Sequence, residues 1–223
     1  MKDMATDVRD LAGSVAVSLE QVFDRFAAMP DKPGAQVHVL FARLYRCTTL
    51  CWLAALDEVE APDLAYWAIL RFYEAYQTGV LACRDAPMAD VPRPWRKYHR
   101  LARRITMRAP MSLHIMLVSL GVRAHVRHDL GPAIHAAERD LAASGAQMPF
   151  RPAGAVLHGA HADRAFVTAI HAFVAIHGDH PSKWRRFWLA QCDKGLFALS
   201  PVWLGTFEGW RRASRNDARP DAY

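Results

Sequence analysis

The 223-residue chain has four cysteines and no C-x-x-C pair or zinc-ribbon spacing. Cys47 and Cys51 lie one helical turn apart, an arrangement too strained for a disulfide, and Cys83 and Cys192 stand alone. This usage fits a reducing compartment. Gly-x-Ser-x-Gly, a Walker loop and a dinucleotide fingerprint are all missing, so acyl-serine, phosphate-loop and Rossmann chemistries lack support. No run approaches the ~20 apolar residues that cross a bilayer; the longest, 115–122, is short and contains Ser119. The opening MKDMATDVRD carries acids where a signal peptide needs a basic stretch and then an apolar one. The expected location is therefore cytoplasmic, with no membrane span. No stretch alternates apolar and polar residues as a half-buried strand does, and no repeat of fixed period occurs.

What is present reads as helix throughout. Hydrophobic residues make up 52% of the chain and charged ones 22%, enough for a full core in one domain. The net charge of +6 bears mainly on solubility and weak association with anions. Helical spacing, punctuated by Pro, Gly and Asp, predicts helices over 14–29, 35–59, 63–83, 95–108, 111–128 and 132–144. A loop over 145–162 follows, then helices over 163–177, from about 182 and from 201. Asp63 and Asp163 are the expected caps. The fold class is all-α: a single-domain bundle of about eight helices, 1–212, around a central buried helix, with a polar tail over 213–223.

The central helix is read at 111–135, MSLHIMLVSLGVRAHVRHDLGPAIH. His114, Val118, Gly121, His125, His128 and Asp129 share one stripe of it, and His125 and Asp129 are one turn apart. Gly121 leaves room for a ligand or for another helix. Gly131-Pro132 is expected to end the helix. The His125/Asp129 pair has three readings. It can bind a divalent metal (Zn, Fe or Mn). It can form an oriented acid–base pair. Or the two can simply satisfy each other where one helix ends and the next begins, with Asp129 bonding backbone N–H groups near Pro132.

His38 and Tyr45, seven residues apart on the apolar helix 35–59, share a face that can meet this stripe. The plainer reading is a core histidine and a core tyrosine. Arg43 and Arg46 can hold an anionic group or reach the surface. His158 and His161 can close a metal site or belong to an exposed loop. Between Arg93 and Arg108 lie seven basic residues and no acid. The aromatics there occupy the apolar face, where they pack rather than stack on bases, so a solvated face is preferred to nucleic-acid binding.

LGVRAHVRHDLGPAI, 120–134, resembles the signature helix of a bacterial all-helical domain-of-unknown-function family, Gly-Met-Asn-Ala-His-Ile-Asn-x-Asp-Leu-Pro. Gly121, Ala124, His125, Asp129 and Leu130 match. Arg123 and Arg127 replace its asparagines, and the proline comes one residue late at Pro132. ARLYRCTT (42–49), PWRKYH (94–99) and the Trp-rich 203–210 are similar to further segments of that family. The resemblance implies an all-helical fold and carries no activity. A weaker resemblance links Gly121 and His125-x-x-x-Asp129 to the zinc-dependent phospholipase C and single-strand nuclease superfamily, with 132–135 as a loose counterpart of its Gln-Pro-Leu-His. That likeness implies zinc at His125 and Asp129.

The expected function is a small-molecule enzyme of hydrolase, lyase or cyclase type, with or without a metal, that uses the His125/Asp129 pair in a pocket between the helices over 35–59 and 111–128, in specialised metabolism if biosynthetic. Its catalytic residues are His125, Asp129 and Tyr45, and its substrate-binding residues are His38, Arg43, Gly121 and His128. The competing expectation is a non-catalytic helical protein that binds a ligand or partner. The residues name neither a substrate nor an oligomeric state.

Overall fold

A computed structural model of the chain describes residues 2–57, 59 and 62–145, with backbone alone for 2–7. Six α-helices and no strand occur among the described residues. They are α1 (Lys2–Ala27), α2 (Val39–Leu56), α3 (Asp63–Tyr76), α4 (Arg96–Ala102), α5 (Met111–Ala124) and α6 (Leu130–Ala143). Short 3-10 turns, Gln36–His38 and Arg93–Trp95, lead into α2 and α4, and π-turns, Gln77–Leu81 and His125–Asp129, extend α3 and α5. The loop and helices expected beyond 145, the tail over 213–223, His158, His161 and Cys192 lie outside the described residues.

α1 begins well before the expected residue 14. Val8, Ala12, Val15, Leu19, Val22 and Phe26 are all buried and recur every three or four residues, so one apolar stripe runs almost its whole length. Gly13 interrupts it at no steric cost, since nothing lies within 4 Å of a Cβ built there. α1 packs on α2 and α3, and α3 packs most extensively on α6. Glu20 pairs with Arg46 across α1 and α2, and Arg9 with Asp57 at 2.6 Å. Asp63 opens α3 as its first helical residue and does not cap it with its side chain.

The buried centre is α2 more than α5. Val39, Leu40, Phe41, Ala42, Leu44 and Tyr45 are all buried, so helical periodicity is hidden by apolar contact on every side. Gln36–Leu56 is long and apolar enough, by length and composition alone, to cross a membrane; here it packs as the middle of the core. The first half of α5 corrects the expected central helix. Met111, Ile115 and Met116 are 40–52% exposed; in this half only His114 and Leu117 are buried, and burial becomes more continuous from Gly121 toward His125.

The helix over 111–128 does not end at Gly131-Pro132. α5 passes through the π-turn directly into α6. In an α-helix the ring of Pro132 would strike the carbonyl four residues back. The preceding turn is widened by one residue, with Leu130 N–H donating to His125 O, and that relaxes the tight i−4 geometry. The predicted helix over 95–108 is also shorter. Gly34 N–H donates to Ala102 O at 2.9 Å as α4 closes. Arg103 donates to the carbonyls of Cys83 and Arg84, both at 3.1 Å, and Arg96 to those of Val91 and Ala89, both at 2.9 Å. Part of the basic stripe thus fastens the 84–92 loop instead of facing solvent.

Candidate functional site

His125 opens the π-turn after α5 and is only 3% exposed. Its Nδ1–H donates to Asp129 Oδ2 at 2.9 Å. Trp95 Nε1–H donates to the same oxygen at 3.1 Å. Asp129 makes no side-chain capping bond to the start of α6, so of the structural reading the mutual His125–Asp129 bond is present and the backbone cap is not. Both donors fix the carboxylate from the core side, and the carboxylate in turn holds the proton of His125 on Nδ1. The other ring nitrogen, Nε2, is buried and has no hydrogen-bond partner among the described residues.

Aromatic rings enclose that imidazole. Phe72 stacks on it with centroids 3.5 Å apart and planes at 9°, and Tyr45 meets it edge-on at 4.9 Å. Trp95, Phe41 and Tyr76 complete the enclosure at 5.8, 6.1 and 6.3 Å. The hydroxyls of Tyr45 and Tyr76 are also buried without hydrogen-bond partners among the described residues. Burial pushes the pKa of His125 down, and the Asp129 bond offsets only part of that. Burial raises both phenols well above their ordinary range, so they stay protonated donors. Near neutral pH the cluster therefore offers a bare imidazole lone pair beside two O–H groups.

On its other side Asp129 opens toward solvent. It lines a groove of about 420 Å³ between α3 and α6, together with Arg71, Glu74, Thr78, His128, Arg139 and Asp140. Arg71 spans the groove, its Nε donating to Asp140 at 2.6 Å and its Nη1 to Glu74 at 2.8 Å. Asp129 is thus the link between a sealed imidazole and an open groove.

The expected site residues do not all come together. His125, Asp129 and Tyr45 come together, and His128 joins Asp129 on the groove. His38 turns away: its ring contacts are Phe26, Tyr98 and His99. Arg43 lies over the ring of Phe23, 5.3 Å from its centroid, on the α1 side of α2. Gly121 serves helix approach. A Cβ built there would meet Phe41 Cδ2 at 2.9 Å, so Phe41 fills the space that the sequence leaves for a ligand or a helix. Gly121→Ala is expected to push the Phe41 ring against its neighbours and cost about 1–3 kcal/mol, read as a lower urea midpoint. An unchanged midpoint would show that Phe41 yields freely.

Trp95, Phe72 and Tyr76 went unmarked in the sequence, where they read as core packing. Trp95 carried one usable signal, because a buried indole N–H usually finds an acceptor. Among the described residues no three His, Cys, Asp or Glu side chains form a metal-holding group. His125 Nδ1 and Asp129 Oδ2 are turned to each other, which leaves Nε2 as the ring nitrogen able to meet an outside ligand.

No curated protein and no solved structure matches the chain. One family model does, over residues 13–163, a span that includes all of α2 to α6 and the whole site. The chain belongs to DUF5995, a family of unknown function.

Proposed function

We propose that the protein is an enzyme that acts on a small molecule by acid–base chemistry, with substrate in the α3–α6 groove. The observation that carries this reading is the double position of Asp129, bonded to His125 and Trp95 on one side and lining the groove on the other. Asp129 is the group that meets substrate. Asp129 takes up and returns the proton, His125 orients it through the Nδ1–H bond, and Tyr45 stands behind His125. His128 lies at the groove to contact substrate. Hydrolysis, lyase chemistry and cyclisation all use such a pair. In a metal-assisted version a Zn, Fe or Mn ion would sit at the same pair, as the likeness to zinc-dependent phospholipase C suggests. Elemental analysis of untagged protein tests that version.

A second reading, a non-catalytic ligand-binding protein, draws on the stacking of Phe72 on His125 at 3.5 Å, which seals the imidazole. A thermal-shift screen of a metabolite library, with each hit then followed by NMR for conversion, separates the two. The enzyme reading expects at least one hit to be converted. It expects Asp129→Asn to lower that turnover by about 10²-fold or more while the urea midpoint changes little. Hits that bind and are never converted support the binding protein. A variant that unfolds while binding persists in the surviving fraction makes the pair structural.

A further inference from the structure

A second buried polar cluster lies on the opposite side of Phe41 and Tyr98 from His125, and the proposed function makes no use of it. His38 and His99 are both fully buried, with ring centroids 5.7 Å apart. His38 Nδ1 lies 2.9 Å from the Tyr98 hydroxyl, and His99 Nε2 lies 2.8 Å from the Gly79 carbonyl. Each ring keeps one buried nitrogen with no hydrogen-bond partner among the described residues, Nε2 on His38 and Nδ1 on His99.

The protons can be assigned by elimination. A carbonyl only accepts, so His99 carries its proton on Nε2 and leaves Nδ1 as a bare acceptor. The Tyr98 hydroxyl can donate or accept, and His38 Nδ1 is its one hydrogen-bond partner among the described residues; with the phenol proton given to that nitrogen, His38 carries its own on Nε2. The two orphaned atoms are therefore complementary, one donor and one acceptor. Both rings are neutral: burial lowers the pKa of His38 to about 3, with His99, Arg84 and Arg103 adding to the effect and Asp85 opposing it, and burial lowers that of His99 below its ordinary value. A small neutral molecule able to accept one hydrogen bond and donate another fits, and water is the smallest.

We infer that one water molecule is held between His38 Nε2 and His99 Nδ1. It completes a chain in which every donor points the same way, from the Tyr98 hydroxyl through His38, the water and His99 to the Gly79 carbonyl. Aligned bonds of this kind strengthen one another. The chain ends on the π-turn after α3, the turn whose Gly79 lies against the Trp95 indole. The buried water thereby helps to fix the turn on which Trp95 rests. The inference stands whether or not the protein is an enzyme.

NMR of protein carrying ¹⁵N-labelled histidine, near pH 7, tests it. Both rings are expected in the Nε2–H form, and the His38 Hε2 proton is expected to show a rotating-frame Overhauser cross-peak to a long-lived water. His99→Phe removes the acceptor, and in the folded variant that cross-peak is expected to vanish. A His38 proton on Nδ1, an Hε2 proton without a water cross-peak, or a nitrogen–nitrogen coupling to His99 each overturns the inference. So does a cross-peak that survives in folded His99→Phe. If that variant does not fold, the wild-type tautomers and cross-peak decide the matter.

Discussion

Gly79→Ala is expected to lower stability by about 3 kcal/mol or more and to loosen the bond between Trp95 and Asp129. A Cβ built on Gly79 would lie 2.3 Å from Trp95 Nε1 and 2.7 Å from its Cε2. Neither partner can yield cheaply. Trp95 is buried between Phe41 and Tyr98, and the Gly79 carbonyl is tied to His99. The clash falls on the nitrogen that donates to Asp129, so the damage runs from packing directly into the candidate site. Urea unfolding measures the stability, and the indole N–H resonance of Trp95 reports the bond. Gly13→Ala is the control, because nothing surrounds that position and a helix interior favours Ala by roughly 0.5–1 kcal/mol. Equal midpoints for the two variants, with an unmoved indole signal, would remove Gly79 as the seat of Trp95.

Acid is expected to unfold the protein through its histidines before its carboxylates. His38, His99 and His125 all have pKa values lowered from 6.5, burial being the largest cause in each. The unfolded chain therefore binds protons that the native state refuses. Stability is full above pH 6.5 and falls as pH drops below it. For His38 the fall continues to about pH 3, where the folded state begins to accept the proton. The slope approaches about 1.4 kcal/mol per pH unit for each such histidine, so His38 alone removes about 2 kcal/mol by pH 5. Carboxylates with lowered values, such as Asp85 held by Arg84, act only below the ordinary carboxylate range. Urea titrations at pH 7.5, 6 and 5 check this. A flat profile over that range would mean that these imidazoles reach bulk solvent or counter-charges in the folded state. His38→Phe is expected to make the profile shallower by about one proton's worth.

The candidate pair was legible because its geometry is local. Residues four apart on a helix share a face whatever the rest of the chain does, and His125 and Asp129 meet even though their turn is π rather than α. Trp95 was not legible, because its bond to Asp129 spans 34 residues and depends on how α4 lies against α5. His38 and Tyr45 illustrate the same limit within one element. Seven residues apart, they read as one face, yet His38 belongs to the 3-10 turn before α2 and meets Tyr98 and His99, while Tyr45 meets His125.

By itself the sequence determined the helical class, the approximate position of the six described helices and the pairing of one imidazole with one carboxylate. Each of these follows from side-chain spacing along a single helix or from Pro and Gly at its ends. Only the tertiary structure decided that the helix continues past Pro132, that Phe41 occupies the gap at Gly121, and that Asp129 faces a groove while His125 is sealed. Those outcomes depend on which helices touch, and close packing between distant segments is not encoded in the periodicity of either one alone.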